Sequence, residues 1–147
     1  MHTKLTKSDQ KLLMHLRQDG RKRVTRIADE ERIPVTTVYD RLRCHTGKTI
    51  RRITSLLDFS DLGYGCIVHI VAQQIQPGLR ELLLSQPNVN SLYRVNGSQR
   101  FRADCIFTDR LQQHRFLEDL QRHADIQVFE EIEELRREAF LTKPEHW

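Results

Sequence analysis

The chain has 147 residues, of which 38% are hydrophobic and 30% are charged, and its formal net charge is +4. This length allows one domain or two small ones, and the hydrophobic fraction is too high for a disordered chain. No apolar run approaches the roughly 20 residues of a membrane-spanning helix, and the N-terminus lacks a secretory signal. The three cysteines form no CxxC pair, which argues against a disulfide framework. We therefore expect a soluble cytoplasmic protein.

Charge is distributed unevenly along the chain. Residues 1–57 contain 14 Lys and Arg against 6 Asp and Glu, a net charge of +8, whereas the remaining residues carry a net charge of −4. Such asymmetry suggests that one part binds a polyanion, because a basic surface attracts nucleic acid by releasing condensed counterions. Charge alone fits a solvated surface equally well, so the pattern of residues has to decide.

The first predicted element is a helix over residues 5–16, whose apolar side chains recur at helical spacing. Residues 6–9 fit a capping box, in which the Thr6 hydroxyl and the Asp9 carboxylate satisfy free amides of the first turn. Gly20 is predicted to end this helix, because glycine accepts the left-handed conformation.

Two further short helices are predicted over residues 24–31 and 35–45. Pro34 cannot lie inside a continuous helix but suits the first turn of a new one. Three short helices with a tight turn before the third predict a helix-turn-helix arrangement.

The third predicted helix has an apolar stripe, formed by Val35, Val38, Leu42 and His45, and an opposite face that is small and polar. Such a face suits a helix in the major groove, because short hydrogen-bonding side chains read base edges there. The candidate base-facing residues are Thr36, Thr37, Tyr39, Asp40 and Arg43.

Residues 46–53 predict a short basic β-wing, with a turn at Gly47 and strand residues at Thr49, Ile50 and Ile53. Any single cation in this region fits a solvated surface residue as well as a DNA contact, but the cluster favours DNA. The candidate phosphate-binding residues are Arg21, Lys22, Arg23, Lys48, Arg51 and Arg52.

The remaining sequence predicts the order βαββαβ. Strands are expected at residues 66–72, 89–95, 101–107 and 126–135, and helices at 77–86 and 111–124, although 130–137 could equally be helical. In the third strand Phe101, Ala103, Cys105 and Phe107 share one side. This order predicts the split ferredoxin-like unit, an antiparallel sheet with both helices on one face. The other face must be covered, and a second copy of the chain is the usual solution, so we expect a homodimer.

Taken together, these motifs resemble the Lrp/AsnC family, also called feast/famine regulators, over residues 5–140. No single motif is specific, but the order and spacing of the motifs together give a fairly strong match. The matching residues are Leu5, Asp9, Leu12, Leu13, Asp19, Gly20, Arg21, Ile27, Ala28, Thr37, Val38, Arg41, Leu42, Leu57, Asp58, Leu62, Gly63, Val95, Gly97 and Asp109.

The resemblance implies an α+β protein with two domains. Residues 1–57 would form a winged helix-turn-helix that binds double-stranded DNA, and residues 58–147 a βαββαβ (RAM/ACT-like) domain for effector sensing and oligomerisation. Members of the family regulate transcription as dimers, tetramers or octamers, and many bind amino acids between the sensing domains. The implied function is therefore a sequence-specific transcriptional regulator with a small-molecule effector of unknown identity.

The chain departs from the family at several positions. Arg32 and Pro34 stand where the family usually has Gly and Ser, and His45-Thr46 replaces a common Leu-Glu. The family often carries Gly-Asp-Tyr-Asp at the border of the effector pocket, where this chain has a loop of different charge. Two acids are lost there and a cation is gained, which favours an anionic effector over an amino-acid ammonium group. The candidate effector-binding residues are Gly97, Ser98, Gln99 and Arg100, although Gly97 fits a plain hairpin turn equally well.

The sequence predicts no catalytic residue, no metal and no cofactor. The histidines show neither HxH nor HExxH spacing, and His69, in an apolar strand, fits a satisfied core histidine better than a ligand. Siroheme decarboxylases look like the same two-domain family, but Phe59-Ser60 stands where those enzymes usually carry a His-Arg pair. A third alternative is a nucleoid-type protein that coats DNA without an effector and with little sequence preference.

Overall fold

The structure is a computed structural model that describes residues 4–147. The start of the chain, residues 1–3, where the sequence predicts no signal peptide, lies outside the described residues. The chain divides into two compact units, the first formed by Met1–Leu56 together with Leu135–Trp147 and the second by Leu57–Glu134. Within residues 4–147, no helix is both long enough and apolar enough to cross a membrane.

The first unit contains three α-helices and a short 3-10 helix. The α-helices are α1 (Lys7–Gln18), α2 (Val24–Glu31) and α3 (Val35–His45), and the 3-10 helix is Pro144–His146. The predicted bounds of α2 and α3 are confirmed, and Pro34 stands directly before α3 as its N-cap. The predicted capping box of α1 is also confirmed, because the Thr6 hydroxyl accepts from the Asp9 amide and the Asp9 carboxylate accepts from the Thr6 amide. The buried apolar side chains of this unit are Leu12, Leu13, Ile27, Ala28 and Val38.

Gly20 ends α1 in a different way from the prediction. The helix stops because Asp19 is extended, with φ −147°, and Gly20 is not left-handed. A Cβ atom at Gly20 would lie 2.9 Å from Cγ2 of Ile53, so glycine allows the segment after α3 to approach the end of α1. The requirement is for space rather than for a positive φ.

The turn between α2 and α3 depends on Arg32, which adopts the left-handed conformation (φ 53°, ψ 45°). Its backbone amide and that of Ile33 bond back to the last carbonyls of α2, which satisfies acceptors that the helix end would otherwise leave free. The left-handed region is sterically costly for a residue with a side chain, by roughly 1–2 kcal/mol. Arg32 therefore holds a position that glycine would fill at lower cost.

The predicted β-wing is largely absent. A single isolated bridge joins Thr46 to Ile50, and residues 51–58 have no regular secondary structure. The expected strand through Ile53 does not form, because within the described residues no neighbouring strand pairs with it. Only the turn over residues 46–50 remains of the predicted wing.

The second unit has the predicted βαββαβ order. Its elements are β1 (Cys66–Gln74), α4 (Leu79–Ser85), β2 (Val89–Arg94), β3 (Arg100–Phe107), α5 (Arg110–Gln121) and β4 (Ala124–Glu130). The four strands form an antiparallel sheet in the order β2-β3-β1-β4. The α+β class and the sheet predicted from the sequence are therefore confirmed.

One face of the sheet carries the core of this unit. Alternate residues of β3 are buried there, as predicted, and they pack with β1 and with leucines of α4 and α5, so both helices cover this face. The fully buried side chains at its centre are Val68, Ile70, Leu79, Leu83, Cys105 and Phe107.

The opposite face of the sheet, which we call the open face, is not covered by α4 or α5. Ile67, His69, Val71 and Ile106 are half-buried on it, and Phe129 of β4 is 56% exposed. The alternation of β1 places His69 on this face rather than in the core, so the expected core histidine is wrong.

The C-terminal predictions need three corrections. Helix α5 ends at Gln121, and Ala124 begins β4 instead of closing the helix, because the His123 carbonyl accepts from Ile75 and Gln76 after β1. Strand β4 ends at Glu130, and residues 131–138 are neither strand nor helix.

Residues 135–147, which the sequence assigns to the second domain, lie in the first unit. The Arg17 guanidinium of α1 donates to the Glu138 carboxylate and to the Glu138 and Phe140 carbonyls, at 2.7–3.0 Å. Gln18 donates to the Thr142 carbonyl. These polar contacts with α1 hold the segment, and the apolar spacing of the sequence gives no sign of them.

The left-handed turn at Arg32 makes a testable prediction. Replacing Arg32 with Gly should raise the free energy of unfolding by about 0.5–1 kcal/mol, because the relief of backbone strain exceeds the entropy that glycine adds to the unfolded chain. Urea denaturation without DNA measures it. Asp29→Gly, on the exposed side of α2, is the matched control and should lower stability by about 0.3 kcal/mol, the difference between the helix propensities of Asp and Gly. Equal losses from both variants would contradict the assigned turn.

Candidate nucleic-acid interface

Helix α3 presents one face to the core of the first unit and the other to solvent. Val38 is buried, and Val35 and Leu42 pack against the core cluster. Of the five candidate base-facing residues, four are exposed and Thr37 is half-buried. Tyr39 is 54% exposed. The outer face thus offers hydroxyls, a carboxylate and a guanidinium group, side chains that can hydrogen-bond to base edges.

The position of α3 is fixed from within by Asp9 of α1. The side chains of Asp9 and His45 are both buried, and Oδ1 of Asp9 lies 2.9 Å from Nε2 of His45, the last residue of α3. Arg41 adds a longer ion pair at 3.8 Å. The other imidazole nitrogen, Nδ1, lies 3.1 Å from the Thr49 hydroxyl in the turn that follows. One carboxylate therefore links the start of α1 to the end of α3.

Hydrogen bonding keeps the Asp9 carboxylate charged. Burial by itself raises the pKa of Asp9, but hydrogen bonds from Thr6 and His45 outweigh this effect and lower the pKa from 3.8 to about 2. A carboxylate with several donors favours its ionised form in this way. The contact between Asp9 and His45, which we call the Asp9 joint, therefore keeps its charged carboxylate throughout the neutral pH range.

A second polar network joins α1 to α2, and it includes one of the candidate phosphate-binding residues. The buried His15 ring bonds to Glu31 through Nε2, at 2.8 Å, and to the Lys22 ammonium through Nδ1, at 2.9 Å. The Lys22 ammonium also pairs with Glu30, and only 15% of its side chain is exposed. The hydrogen bond from Lys22 is the largest influence on the pKa of Glu30, which it lowers. The Lys22 ammonium group is thus already bonded to His15 and Glu30 within this unit.

The other candidate phosphate-binding residues are exposed and make no ion pair among residues 4–147. Sequence reasoning noted Arg32 only as a departure from the family, yet it too is exposed and unpaired within the described chain, in the turn before α3. Its cationic side chain next to the predicted recognition helix was the signal that could have identified it. The unpaired cations of this region are Arg21, Arg23, Arg32, Arg43, Lys48, Arg51 and Arg52.

The candidate effector residues are exposed and lie in the loop between β2 and β3, with Arg100 as the first residue of β3. Both Gly97 and Gln99 have positive φ, at 106° and 50°. The side chain of Gln73 pins this loop to the end of β1, because it donates to the Ser98 carbonyl and accepts from Arg100 Nε at 3.0 Å. The terminal nitrogens of Arg100 make no hydrogen bond among the described residues. A groove of about 400 Å³ lies elsewhere, between α4 and α5, and none of the four loop residues lines it.

Comparison with known proteins identifies the fold. No protein-family model matches the chain, and no curated protein matches it. Among solved structures, LrpC of B. subtilis is similar to this chain with a TM-score of 0.82 at 17% identity, covering 91% of this chain and 99% of that one. A Neisseria meningitidis transcriptional regulator in complex with L-Met has a TM-score of 0.80 at 20% identity, covering 91% and 94%.

An AsnC family transcriptional regulator from Agrobacterium tumefaciens is also similar, with a TM-score of 0.77 at 18% identity, covering 90% of this chain and 94% of that one. At these identities the comparison concerns the fold. The chain has the fold of the Lrp/AsnC regulators, so the resemblance noted in the sequence is confirmed at that level.

The Asp9 joint predicts a defined pH dependence. Because the folded pKa of Asp9 is lowered, its contribution to stability is present above pH 3.8 and is lost as the pH falls towards about 2. Asp9→Asn should therefore lower the free energy of unfolding by about 2 kcal/mol at neutral pH. Denaturation across this range should show the two proteins converging in acid.

Asp40→Asn, on the exposed face of α3, is the matched control and should leave stability unchanged at both ends of the pH range. A gap between Asp9→Asn and wild type that stayed constant from neutral pH to acid would contradict the role given to the Asp9 charge.

Proposed function

We propose that this chain is a sequence-specific DNA-binding transcriptional regulator of the Lrp/AsnC type. The observation that carries the proposal is the outer face of α3, which is polar and exposed and has unpaired cations on its own surface and in the segments before and after it. The fold shared with solved regulators supports the same function. In this proposal the three helices are a helix-turn-helix unit, and the wing is reduced to the turn over residues 46–50.

Recognition of bases would come from α3 in the major groove. Arg43 is the best candidate for a guanine contact, because a guanidinium group can bond to O6 and N7 together. Asp40 can accept from the amine of cytosine, and Thr36, Thr37 and Tyr39 can bond to other edges or contact the thymine methyl group. The buried pair between Asp9 and His45 would fix the angle at which these side chains enter the groove.

Phosphate contacts would come from the exposed cations on either side of α3. Arg21 and Arg23 precede α2, whereas Lys48, Arg51 and Arg52 follow α3. Such contacts set the register of the protein on the duplex and carry most of the salt dependence. Lys22 contributes little in this proposal, because its ammonium group is already bonded to His15 and Glu30.

The second unit would bring two copies of the chain together through the open face. This face carries half-buried apolar side chains on β1 and β3 and the exposed Phe129 ring, and such a face is normally buried against another layer. A dimer with two-fold symmetry would bind a pseudo-palindromic site whose half-sites are one helical turn apart, or a multiple of it. Assembly into tetramers or octamers is compatible with the same arrangement.

The loop of residues 97–100 would receive a small effector. A Neisseria meningitidis regulator with this fold is described as a complex with L-Met, so a protein of this fold can hold a small molecule. In this chain the two terminal guanidinium nitrogens of Arg100 have no hydrogen-bond partner among residues 4–147, and such groups bond to carboxylate or phosphate oxygens. We therefore propose an anionic effector rather than one recognised through its ammonium group.

Selection of bound sequences from a random duplex pool, at about 150 mM salt, tests the proposed function. A recovered palindrome would establish a specific regulator and supply its operator. Bound DNA without a motif would instead favour a coating protein, and absence of bound DNA would overturn both. In that last case a Soret band from a bound tetrapyrrole would point to the enzyme alternative.

Base recognition predicts the effect of Arg43→Ala on the selected operator. Binding should weaken by about 1–3 kcal/mol, and specificity should relax at one base position, as measured by competition with single-base operator variants. Arg122→Ala, an exposed arginine of the second unit, is the matched control and should change neither quantity. Equal weakening on all sequences would mean that Arg43 contacts a phosphate.

Phosphate contacts predict a contrast between two basic residues. Arg51→Ala should reduce the salt slope of binding by about one unit without altering sequence preference. Lys22→Ala should leave that slope unchanged and lower thermal stability instead, because it removes the partner of His15 and Glu30. Titrations at several salt concentrations separate the two outcomes, and a change of slope for Lys22→Ala would contradict its internal role.

A further inference from the structure

The open face has a histidine at its centre that is held between two carboxylates. Nδ1 of His69 lies 2.8 Å from Oδ1 of Asp104 on β3, and Nε2 lies 2.9 Å from Oε2 of Glu131, just after β4. Both ring nitrogens can donate only when the imidazole is protonated. The hydrogen bond to Asp104 is the largest of the effects that raise the pKa of His69, and the bond to Glu131 acts in the same direction against partial burial.

The charge of this cluster is balanced by Arg102 on the same face. On β3, Arg102 lies 3.5 Å from Asp104 and stacks over the Tyr93 ring of β2, with its guanidinium carbon 4.9 Å from the centroid. The cluster formed by His69, Asp104, Glu131 and Arg102 has no net charge when the imidazole is protonated. It carries one negative charge when the imidazole is neutral.

The next polar row of the open face is balanced independently of His69. Gln73 is in register with Arg100 on β3 and with Asp125 on β4, so one cation and one anion lie on either side of it. Because Arg100 and Asp125 cancel each other, the net charge of the open face over both sets of residues is that of the His69 cluster, and it changes by one unit when His69 gains or loses its proton.

We infer that the open face joins a second copy of this chain and that protonation of His69 controls how tightly the two copies associate. The inference rests on the dimer in the proposed function and adds its regulation. A second copy is the occupant that this charge balance fits. A face that docks on its own copy doubles any net charge it carries, and a neutral face avoids that repulsion. With His69 protonated, the apolar residues Ile67, Val71 and Ile106 can be buried at no electrostatic penalty from like charges.

The direction of the pH effect follows from this balance. At low pH each open face is neutral and association is strong. As the pH rises through the raised pKa of His69, each copy gains one negative charge, and the two clusters repel in the poorly screened interface. The dissociation constant should therefore increase towards alkaline pH.

A metal ion does not explain the cluster. Both imidazole nitrogens face carboxylate oxygens at hydrogen-bond distance, so neither is directed at an open position. Across residues 4–147, moreover, no three His, Cys, Asp or Glu side chains are arranged to hold a metal ion. The geometry is that of a proton-binding site.

Sedimentation equilibrium of the full chain at about pH 6 and about pH 9 tests the inference. We expect the dissociation constant to be about tenfold or more higher at the alkaline pH. His69→Gln should abolish the difference, whereas His114→Gln, an exposed histidine of α5, should preserve it. A dissociation constant that does not change with pH would overturn the inference and leave the dimer standing. A monomer at both pH values would overturn the proposed dimer as well.

Asp104→Asn provides a test that a purely structural role would not pass. This variant leaves the cluster with one positive charge when His69 is protonated and no net charge when it is neutral. Its association should therefore strengthen as the pH rises, the reverse of the wild-type trend. Weakening with rising pH, as in the wild type, would contradict control by net charge even if His69→Gln failed to fold.

Discussion

The first unit depends on the buried carboxylate of Asp9. This group accepts from the Thr6 amide and hydroxyl at the start of α1 and bonds to His45 at the end of α3. Three short helices bury few apolar side chains, and a core of that size supplies little stability by itself. The orientation of α3 therefore relies on a charged contact in which Asp9 and His45 are both buried. Loss of either partner would leave an unpaired polar group in the interior, which costs more than the bond itself contributes.

The distribution of cations follows from how the acids of this unit are used. Several of the acids form ion pairs with cations inside the unit. These pairs join Asp9 to Arg41, Glu31 to Lys11, and Glu30 to Lys22 and Arg26. The arginines and lysine before and after α3 are left without acidic partners in the described chain. The net charge of the N-terminal third is thereby concentrated where the proposal places the DNA. A local excess of this kind attracts a polyanion more strongly than the average charge indicates.

The sequence was sufficient wherever local pattern decided the structure. The bounds of α2 and α3, the capping box of α1 and the alternation along β3 all follow from residues within one or two turns of each other. Long-range contacts were not accessible in this way. Gly20 is needed because Ile53 approaches it, and residues 135–147 are held by Arg17, more than 100 positions away.

The same distinction separates the candidate site residues. Exposure of the α3 face could be predicted from helical periodicity, because the buried stripe fixes the opposite side. The internal bonding of Lys22 could not be predicted, since its partner His15 lies seven residues earlier in α1 and nothing in the local sequence distinguishes Lys22 from Arg21 or Arg23. His69 shows the limit most clearly: its apolar neighbours along β1 suggested a core residue, whereas Asp104 of β3 and Glu131, just after β4, supply two carboxylates.

The two histidine–carboxylate arrangements of the chain differ in what they can do. His45 meets one carboxylate in a buried site, and the lowered pKa of Asp9 keeps that carboxylate charged at every pH near neutrality, so the joint is permanent. His69 meets two carboxylates on a surface where 40% of its side chain is exposed, and with Arg102 beside them the cluster is neutral only while the imidazole is protonated. Burial with a single carboxylate partner fixes the end of α3 in place. Partial exposure between two partners produces a group whose charge responds to pH, on the one face of the sheet that its own helices leave open.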